Sequence, residues 1–396
     1  MLRDLHRRDA LRVGLAALAA PVGLGMAPPR GVRSFRLIES AGLRRFGFPV
    51  SATVPDAAGG RNFRLVRDGR AIPAQFRESE GRGGRPELIL DFTTDLGPMD
   101  SARHEVHFGP EVEPGPEPST GLKVDRRDGS YVVSQPGGLA FEVADDLGGF
   151  LRSVGSARLG YVRGGSAGLG LRKAGGEIVR VGGGGQGLRV ESSLTRHGPM
   201  AVGLRFATDP AAMVVDLTFP RSKTWVRADL TLDDPGGKAL GLALDLDLIV
   251  EGPPTLVDFG AGSTVYGQVA GRERMELAAG PGGGGPSWTV RRGEGDAPGL
   301  LAASSPESPR PAEGWAHVMD ARRCSALAVA DFGRGGAADS IRVEADGSTR
   351  LARTFAATKG PKSLTFWLHF VPMPVQVGAA TSPQAILAPP RVEWDR

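Results

Sequence analysis

Apolar and polar residues alternate along most of this chain in short runs that turn residues separate. The runs SFRLIES from Ser34, FPVSATV from Phe48 and PELILDF from Pro86 have the length of a β-strand and a partial period of two. Asp-Gly and Gly-Pro pairs, which favour turns, stand between such runs. About six runs follow one another over residues 34–112, and this spacing predicts a small β-barrel or sandwich.

The alternation continues beyond residue 121 with longer runs and without the period of a long helix. TWVRADLTLDD from Thr224 and LALDLDLIVEG from Leu242 each carry one polar face. Such strands predict a large two-sheet sandwich over residues 121–375. Between the two regions, residues 113–120 are proline-rich and predict a linker. The expected fold is all-β, a small N-terminal β-barrel followed by a large antiparallel β-sandwich.

Glycine-rich tracts interrupt the second region. RVGGGGQG begins at Arg180, and a longer glycine- and proline-rich stretch covers residues 279–313. Neither tract leads into a helix or ends in Gly-Lys-Ser/Thr, so neither has the pattern of a phosphate-binding loop. We expect surface loops at both places, with residues 279–313 flexible, and an extended tail over residues 376–396.

The first 27 residues have the pattern of a twin-arginine signal peptide. An arginine pair at 7–8 precedes an apolar run over 13–20, and small residues stand before Pro28. The apolar run is too short for a stable membrane anchor, so we expect a periplasmic or extracellular protein. Without this segment the formal net charge falls from +4 to +2, because four arginines and two aspartates are removed. No basic stripe remains to favour a nucleic-acid partner.

Few residues have the spacing of a metal or nucleophile site. Cys324, the single cysteine, lies in an apolar run and is expected to be a buried strand residue. His104 and His107 are three apart on a predicted strand, so they point to opposite faces. Asp245 and Asp247 share a face, which fits either a carboxylate pair or a solvated strand. No metal and no cofactor is predicted.

The order of several runs resembles that of exo-rhamnogalacturonan lyases and the YetA-like proteins related to them. GLRRFGFPVSATVP from Gly42, LVRDGRAIPAQFRE from Leu65 and LILDFTTDLGP from Leu88 are similar to segments of the family's small N-terminal barrel. RHGPMAVGLRF from Arg196 and GWAHVMDARRCSALAVADF from Gly314 are similar to strands of its central β-sandwich. The resemblance covers most of the chain after the leader.

The resemblance implies a saccharide context and, for complete family members, β-elimination on uronate polymers. Those proteins carry a C-terminal helical toroid, whereas this sequence reaches Arg396 with no helical repeat. The family's W-x-D-G-S turn before the LDF strand is also missing from ESEGRGGRPELILDF. The resemblance therefore implies the non-toroid half of such an enzyme.

A uronate lyase needs a base for the C5 proton and a cation for the substrate carboxylate. His317 is the first candidate base and His197 the second. The candidate substrate-binding residues are Trp315, Asp320, Arg322, Arg323, Arg44 and Tyr266. A tryptophan face can stack on a sugar ring and an arginine can hold a carboxylate with two hydrogen bonds.

Each candidate also has a purely structural interpretation. Trp315 fits the core of a strand that ends in a polar turn at MDARR, and His197 fits a strand-entry corner made by Gly198-Pro199. Arg44 fits a solvated hairpin, and Tyr266 fits a sandwich aromatic with its hydroxyl at the rim.

Three functions remain open at this stage. The first is an exported, saccharide-associated protein that binds a polysaccharide, an oligosaccharide or a separate catalytic protein. The second is an active lyase whose site lies on the sandwich, with His197 or His317 beside Arg322 or Arg323. The third is a structural protein of the cell envelope without a ligand.

Overall fold

The computed structural model describes most of the chain after the predicted leader. The described residues are 31–395 without 81–83, 136–137, 166–167, 174–175, 184–186, 210–212, 235, 281–286, 306, 308–309, 357 and 376–380. The predicted signal peptide, 1–27, therefore lies outside the described residues, as do parts of both glycine-rich tracts and the start of the tail. Within the described part, no helix is long and apolar enough to cross a membrane.

The N-terminal region consists of two facing antiparallel sheets. Its strands are β1 Gly31–Ile38, β2 Arg45–Val54, β3 Phe63–Arg67, β4 Arg70–Ile72, β5 Ala74–Glu80, β6 Pro86–Leu96 and β7 Ser101–Phe108. Strands β2, β6 and β5 form a three-stranded sheet, and β1, β7, β3 and β4 lie in the other. Alternation sends Phe35, Leu65 and Phe92 into a shared core, where each is almost fully buried.

The last described residues return to this N-terminal region. They form one short helix, α1 Pro383–Leu387, and a final strand, β30 Arg391–Trp394. Strand β30 pairs antiparallel with β1, and the Trp394 ring lies 4.7 Å from that of Phe35. The expected extended tail over 376–396 is therefore wrong in its described part, because these residues supply an edge strand to the N-terminal sheet.

The second region contains most of the strands. They are β8 Lys123–Arg127, β9 Ser130–Ser134, β10 Ala140–Ala144, β11 Ser153–Gly155, β12 Gly160–Val162, β13 Gly168–Lys173, β14 Ile178–Arg180, β15 Arg189–His197, β16 Ala201–Asp209, β17 Met213–Pro220, β18 Trp225–Leu232, β19 Ala239–Asp247, β20 Thr255–Gly260, β21 Thr264–Val269, β22 Arg274–Ala279, β23 Trp288–Gly293, β24 Gly299–Ala303, β25 Trp315–Met319, β26 Arg323–Val329, β27 Ala338–Glu344, β28 Ser348–Thr354 and β29 Lys362–Pro372. Strands β23 and β24 lie inside residues 279–313, so the expectation of a flexible loop there is wrong over both strands.

Three sheets share the main core. A nine-stranded sheet has the order β15-β16-β17-β18-β29-β26-β25-β20-β21, and an eight-stranded sheet has the order β14-β13-β19-β28-β27-β22-β23-β24. A five-stranded sheet, β12-β11-β10-β9-β8, packs Phe141 against Phe219 of the nine-stranded sheet at 5.3 Å between ring centroids. The all-β fold that the alternation predicts is confirmed, with a small N-terminal unit and a large antiparallel sandwich.

The alternation of β17 and β18 determines which side chains face outward. Met213, Val215 and Leu217 of β17 enter the main core, whereas Asp216 and Thr218 point away from it. The surface of the nine-stranded sheet opposite the core is called the outer face below. At one end the N-terminal unit and the segment 386–392 stand over this face.

The Gly198-Pro199 turn joins β15 to β16 and rests on the N-terminal unit. Gln75 of β5 accepts hydrogen bonds from the backbone nitrogens of Met200 at 3.0 Å and Ala201 at 3.1 Å. A Cβ added at Gly198 would lie 2.3 Å from the Gln75 side chain. This turn is thus a contact point between the two regions. Residues 113–120, the predicted linker, form no strand between β7 and β8.

Candidate functional site

A cleft lies between the three-stranded sheet of the N-terminal unit and the outer face of the nine-stranded sheet. It encloses about 410 Å³, and α1 together with the segment after it closes one side with Ile386, Pro389 and Pro390. Its polar lining comes from both regions: Ser51, Asp91, Arg196, Thr218, Arg227 and Asp229. A concave site with an apolar wall and a few converging polar groups is typical of small-ligand binding.

Strands β18 and β29 form the floor of the cleft. Register places Arg227 opposite Trp367 and Asp229 opposite Thr365. The Arg227 guanidinium carbon lies 5.3 Å from the centre of the Trp367 ring, and its Nη2 donates to Asp229 Oδ1 at 2.8 Å. The Thr365 hydroxyl donates to the same oxygen at 2.9 Å. These contacts fix an aromatic ring, a guanidinium and a carboxylate in one arrangement.

A second carboxylate lies beside this arrangement. Asp216 of β17 is directly opposite Asp229, and the guanidinium of Arg205 binds it through two hydrogen bonds of 2.8 and 2.9 Å. Each of the two aspartates thus has an arginine partner, which balances its charge. The remaining lone pairs of these carboxylates can accept hydrogen bonds from a ligand.

The inner end of the cleft is lined from the N-terminal unit. Asp91 of β6 lies opposite Ser51 on one side and opposite Gln75 on the other. Two arginines flank its carboxylate: Arg77 Nε is 3.5 Å from one oxygen and Arg196 Nη1 is 3.5 Å from the other. Asp91 is 4% exposed.

The structure places Trp315, a predicted stacking residue, in the interior. Trp315 is 3% exposed, and its Nε1 donates to Glu313 at 2.6 Å. Glu313 also accepts a hydrogen bond from Gln384 of α1 at 3.1 Å. Trp315 therefore offers no open ring face to a sugar here, which agrees with its alternative interpretation as a core residue.

His317, the first candidate base, forms a dyad with an aspartate. Its Nδ1 lies 2.8 Å from Asp258 Oδ1 on the neighbouring strand β20, and both side chains keep about a fifth of their surface exposed. The exposed Tyr266 lies opposite Asp258 on β21. Tyr266, Asp258 and His317 are thus successive neighbours across the sheet.

The predicted substrate-binding residues Arg322 and Arg323 do not lie beside the His317–Asp258 dyad. Arg323 is buried and donates to Asp320 and to the backbone oxygen of Gly160, both at 2.7 Å. Alternation along β26 places Arg323 on the opposite face from Ala326, the cross-strand neighbour of His317. Arg322 is exposed and pairs with Glu251 at 3.1 Å. The predicted cluster of tryptophan, histidine and arginines is therefore divided between two faces of the sheet.

Two further candidates are separate from both places. His197 ends the edge strand β15, six strands from β25 in the sheet order, and it is exposed at the turn. Arg44 is exposed and lies 5.5 Å above the Phe46 ring. Neither residue lies in the cleft or beside the dyad.

Asp245 and Cys324 both occupy structural positions in their strands. Asp245 is bound by Arg350 and by Arg180, the latter at 2.9 Å. Burial raises its pKa, but the hydrogen bonds from both arginines outweigh this and lower it. Cys324 is buried, as predicted, and burial raises the pKa of its thiol to about 12. Within the described part of the chain no group of three His, Cys, Asp or Glu side chains is placed to hold a metal ion.

Sequence reasoning missed the cleft residues Asp91, Arg196, Arg227, Asp229 and Trp367. One signal was available, since alternation in WVRADLTL puts Arg227 and Asp229 on the polar face of a single strand. Nothing in the sequence shows that this strand pairs with the one that carries Trp367, more than a hundred residues later.

Comparisons with known proteins support the fold. No protein-family model matches the chain, and no curated protein matches it by sequence. Among solved structures, the chain is similar to a protein in glycosyl hydrolase family 38 from Enterococcus faecalis, with a TM-score of 0.56 and 8% identity over 93% of this chain and 48% of that one. It is also similar to an alpha-mannosidase from Enterococcus faecalis V583, with a TM-score of 0.53 and 8% identity over 92% of this chain and 46% of that one. The chain thus spans about half the length of the structures it matches, and at this identity the likeness concerns the fold alone.

Proposed function

We propose that this chain is an exported, saccharide-binding protein and that the cleft is its binding site. The observation that carries the proposal is the arrangement of Trp367, Arg227 and Asp229 on the cleft floor. An aromatic ring beside planar hydrogen-bonding groups suits the alternating apolar and hydroxyl surface of a sugar. The cleft volume, about 410 Å³, falls within the range of small-ligand sites.

The resemblance to exo-rhamnogalacturonan lyases and YetA-like proteins supports the same context. The similar segments lie in the N-terminal unit and in the sandwich, the two regions between which the cleft forms. The proteins of similar fold are described as a glycosyl hydrolase family member and an alpha-mannosidase. The leader pattern at residues 1–27 supports export by the twin-arginine route.

Binding fits the cleft better than catalysis does. Asp216 and Asp229 each accept hydrogen bonds from an arginine, so both carboxylates are engaged as acceptors. The His317 dyad lies toward the other edge of the nine-stranded sheet, outside the cleft lining. We therefore assign to the cleft the recognition of a saccharide without chemical change.

The test is retention of the protein on polysaccharide gels by affinity electrophoresis, followed by titration calorimetry with oligosaccharides from the retaining polymer. We expect Trp367→Ala and Arg227→Ala to weaken binding at least tenfold. Arg126→Ala is the matched control, because Arg126 also stacks on an aromatic ring, that of Tyr131 at 5.4 Å, but on the five-stranded sheet. Equal weakening by the control would argue against the cleft. Failure of the unaltered protein to bind any polysaccharide would favour a structural envelope protein.

The His317–Asp258 dyad supports a second candidate function, polysaccharide lyase. A carboxylate on Nδ1 orients the imidazole and leaves Nε2 as the proton acceptor. The measurement is ultraviolet absorbance of unsaturated product during incubation with uronate polymers. Product that disappears in His317→Ala and persists in His197→Ala would establish lyase activity on the sandwich.

A further inference from the structure

The charges at the inner end of the cleft do not pair fully. Asp91 Oδ2 and Arg77 Nε are both buried and have no hydrogen-bond partner within the described part of the chain, although they lie 3.5 Å apart. Arg196 approaches the other oxygen of Asp91 only at 3.5 Å. Burial and the nearby Arg196 charge both lower the pKa of Arg77. A buried polar atom without a partner is costly, so this end of the cleft is suited to receiving one.

Asp91 borders the cleft, although its side chain is almost fully buried. Asp91 and Ser51, its neighbour across β2 and β6, both belong to the lining, and Ser51 is exposed. A ligand hydroxyl that reaches Asp91 from the cleft can donate a hydrogen bond to this carboxylate.

The chemistry of Asp91 distinguishes two kinds of ligand group. An anionic group has no proton to donate and would place a second negative charge beside Asp91. A hydroxyl group can donate to Asp91 and accept from a guanidinium at the same time. Arg77 and Arg196 already flank the Asp91 carboxylate, each at 3.5 Å.

We propose that Asp91 and Arg196 form a subsite for two adjacent hydroxyl groups of an uncharged sugar ring. Asp91 accepts a hydrogen bond from one hydroxyl and Arg196 donates to the oxygen of the other. Trp367 and Arg227 contact the rest of the ligand on the cleft floor. This inference rests on the proposed binding of saccharide in the cleft and adds the class of sugar that the inner end selects.

The experiment titrates methyl glycosides of glucose, galactose, mannose and rhamnose, together with galacturonate, by calorimetry. The best neutral glycoside is then compared with its monodeoxy analogues in the unaltered protein and in Asp91→Asn. We expect one deoxy analogue to bind the unaltered protein about 10- to 100-fold more weakly than its parent does. In Asp91→Asn the ratio of the two affinities falls below about tenfold, because a neutral amide oxygen accepts a weaker hydrogen bond than a carboxylate does, and galacturonate gains affinity because a negative charge has been removed.

The outcomes separate the two proposals. Tighter binding of galacturonate than of every neutral glycoside to the unaltered protein would overturn the hydroxyl subsite. The hydroxyl subsite would also be overturned if Asp91→Asn left the ratio of the parent and deoxy affinities unchanged. If Trp367→Ala still weakened binding in that case, the cleft would remain the binding site. No binding of any probe, or no effect of Trp367→Ala, would count against saccharide binding in the cleft. The deoxy comparison in the unaltered protein does not depend on how Asp91→Asn folds.

Discussion

Arg45 of β2 donates a hydrogen bond of 2.6 Å to the backbone oxygen of Ala388, which follows α1 near the end of the chain. The same guanidinium donates to Glu39 at 2.9 Å, and the side chains of both residues have no exposed surface. Four hydrogen bonds, including those from the Met99, Ala41 and Leu43 amides, outweigh burial and lower the pKa of Glu39 to about 2. This buried pair therefore fastens the segment that closes the cleft to the N-terminal unit.

Removing the Arg45 guanidinium should destabilise the protein strongly. Arg45→Ala leaves the Glu39 carboxylate buried without its cation and the backbone oxygens of Ala385 and Ala388 without their donor. We expect the free energy of unfolding to fall by about 3–5 kcal/mol. Chemical denaturation measures this, with Arg44→Ala as the adjacent exposed control, for which we expect a change within about 0.5 kcal/mol. Similar losses for both variants would show that the buried pair has no special role.

The alternation of apolar residues was sufficient to predict the fold class. In β17 and β18 every second side chain enters the main core, so strand positions follow from a period of two. The same rule failed at β30, because RVEW is short and follows two prolines. Its strand character comes from pairing with β1, a partner at the other end of the chain that no local pattern indicates.

The site was less predictable than the fold for a related reason. Trp315, His317 and Arg323 are neighbours in sequence, but the turn between β25 and β26 sends Arg323 to the other face of the sheet. Arg227 and Trp367 are distant in sequence and become neighbours only through the pairing of β18 with β29. Site geometry in such a fold depends on long-range register, whereas a sequence motif reports only local spacing.

Arg323 should prove to be a stabilising residue. It is buried with Asp320 and contacts Glu251 as well as the Gly160 backbone oxygen. We expect Arg323→Ala to lower the free energy of unfolding by about 3–5 kcal/mol. Arg322→Ala is the matched control and should change it by less than about 0.5 kcal/mol, because the Arg322 side chain is 56% exposed. If Arg323→Ala were stable but had lost saccharide binding, the result would instead support the sequence-based prediction that Arg323 contacts the substrate.

Stability should fall as the pH drops below 6.5, because two histidines are buried in the neutral form. Burial lowers the pKa of His369 to about 3, and the nearby Lys223 and His317 lower it further. Burial likewise lowers the pKa of His104 to about 4; the Arg67 charge adds to this effect and the Asp68 charge opposes it. Between pH 6.5 and 5 the unfolded chain binds protons that the folded chain does not. Each histidine then costs up to about 1.4 kcal/mol of stability per pH unit, measured by denaturation at several pH values.

Substitution of one histidine tests the origin of this slope. His369→Phe removes a titrating group while keeping a ring beside Trp225, so the slope between pH 6.5 and 5 should decrease by about half. His197→Gln, at the exposed end of β15, should leave it unchanged. An unchanged slope in His369→Phe would mean that other groups cause the loss of stability.

Cys324 should be unreactive in the folded protein. Burial raises the pKa of its thiol to about 12, with a smaller effect from Asp258, so almost no thiolate is present at neutral pH. We expect no labelling by an aromatic disulfide reagent in native buffer and one thiol per chain in denaturant. Rapid labelling of the native protein would show that β26 opens to solvent.

Gly198 should tolerate no side chain, because the turn that it forms rests on Gln75. An added Cβ would lie 2.3 Å from Gln75, whose amide oxygen is already held by the backbone nitrogens of Met200 and Ala201. Gly198→Ala must therefore displace either the turn or Gln75, and we expect it to lower the free energy of unfolding by about 1–3 kcal/mol. Gly299→Ala is the control, because the nearest atom to its added Cβ is the Arg292 backbone oxygen at 3.6 Å, an ordinary contact. Since the turn also holds Arg196 beside Asp91, we further expect Gly198→Ala to weaken saccharide binding, and a variant that lost stability but bound normally would separate the turn from the cleft.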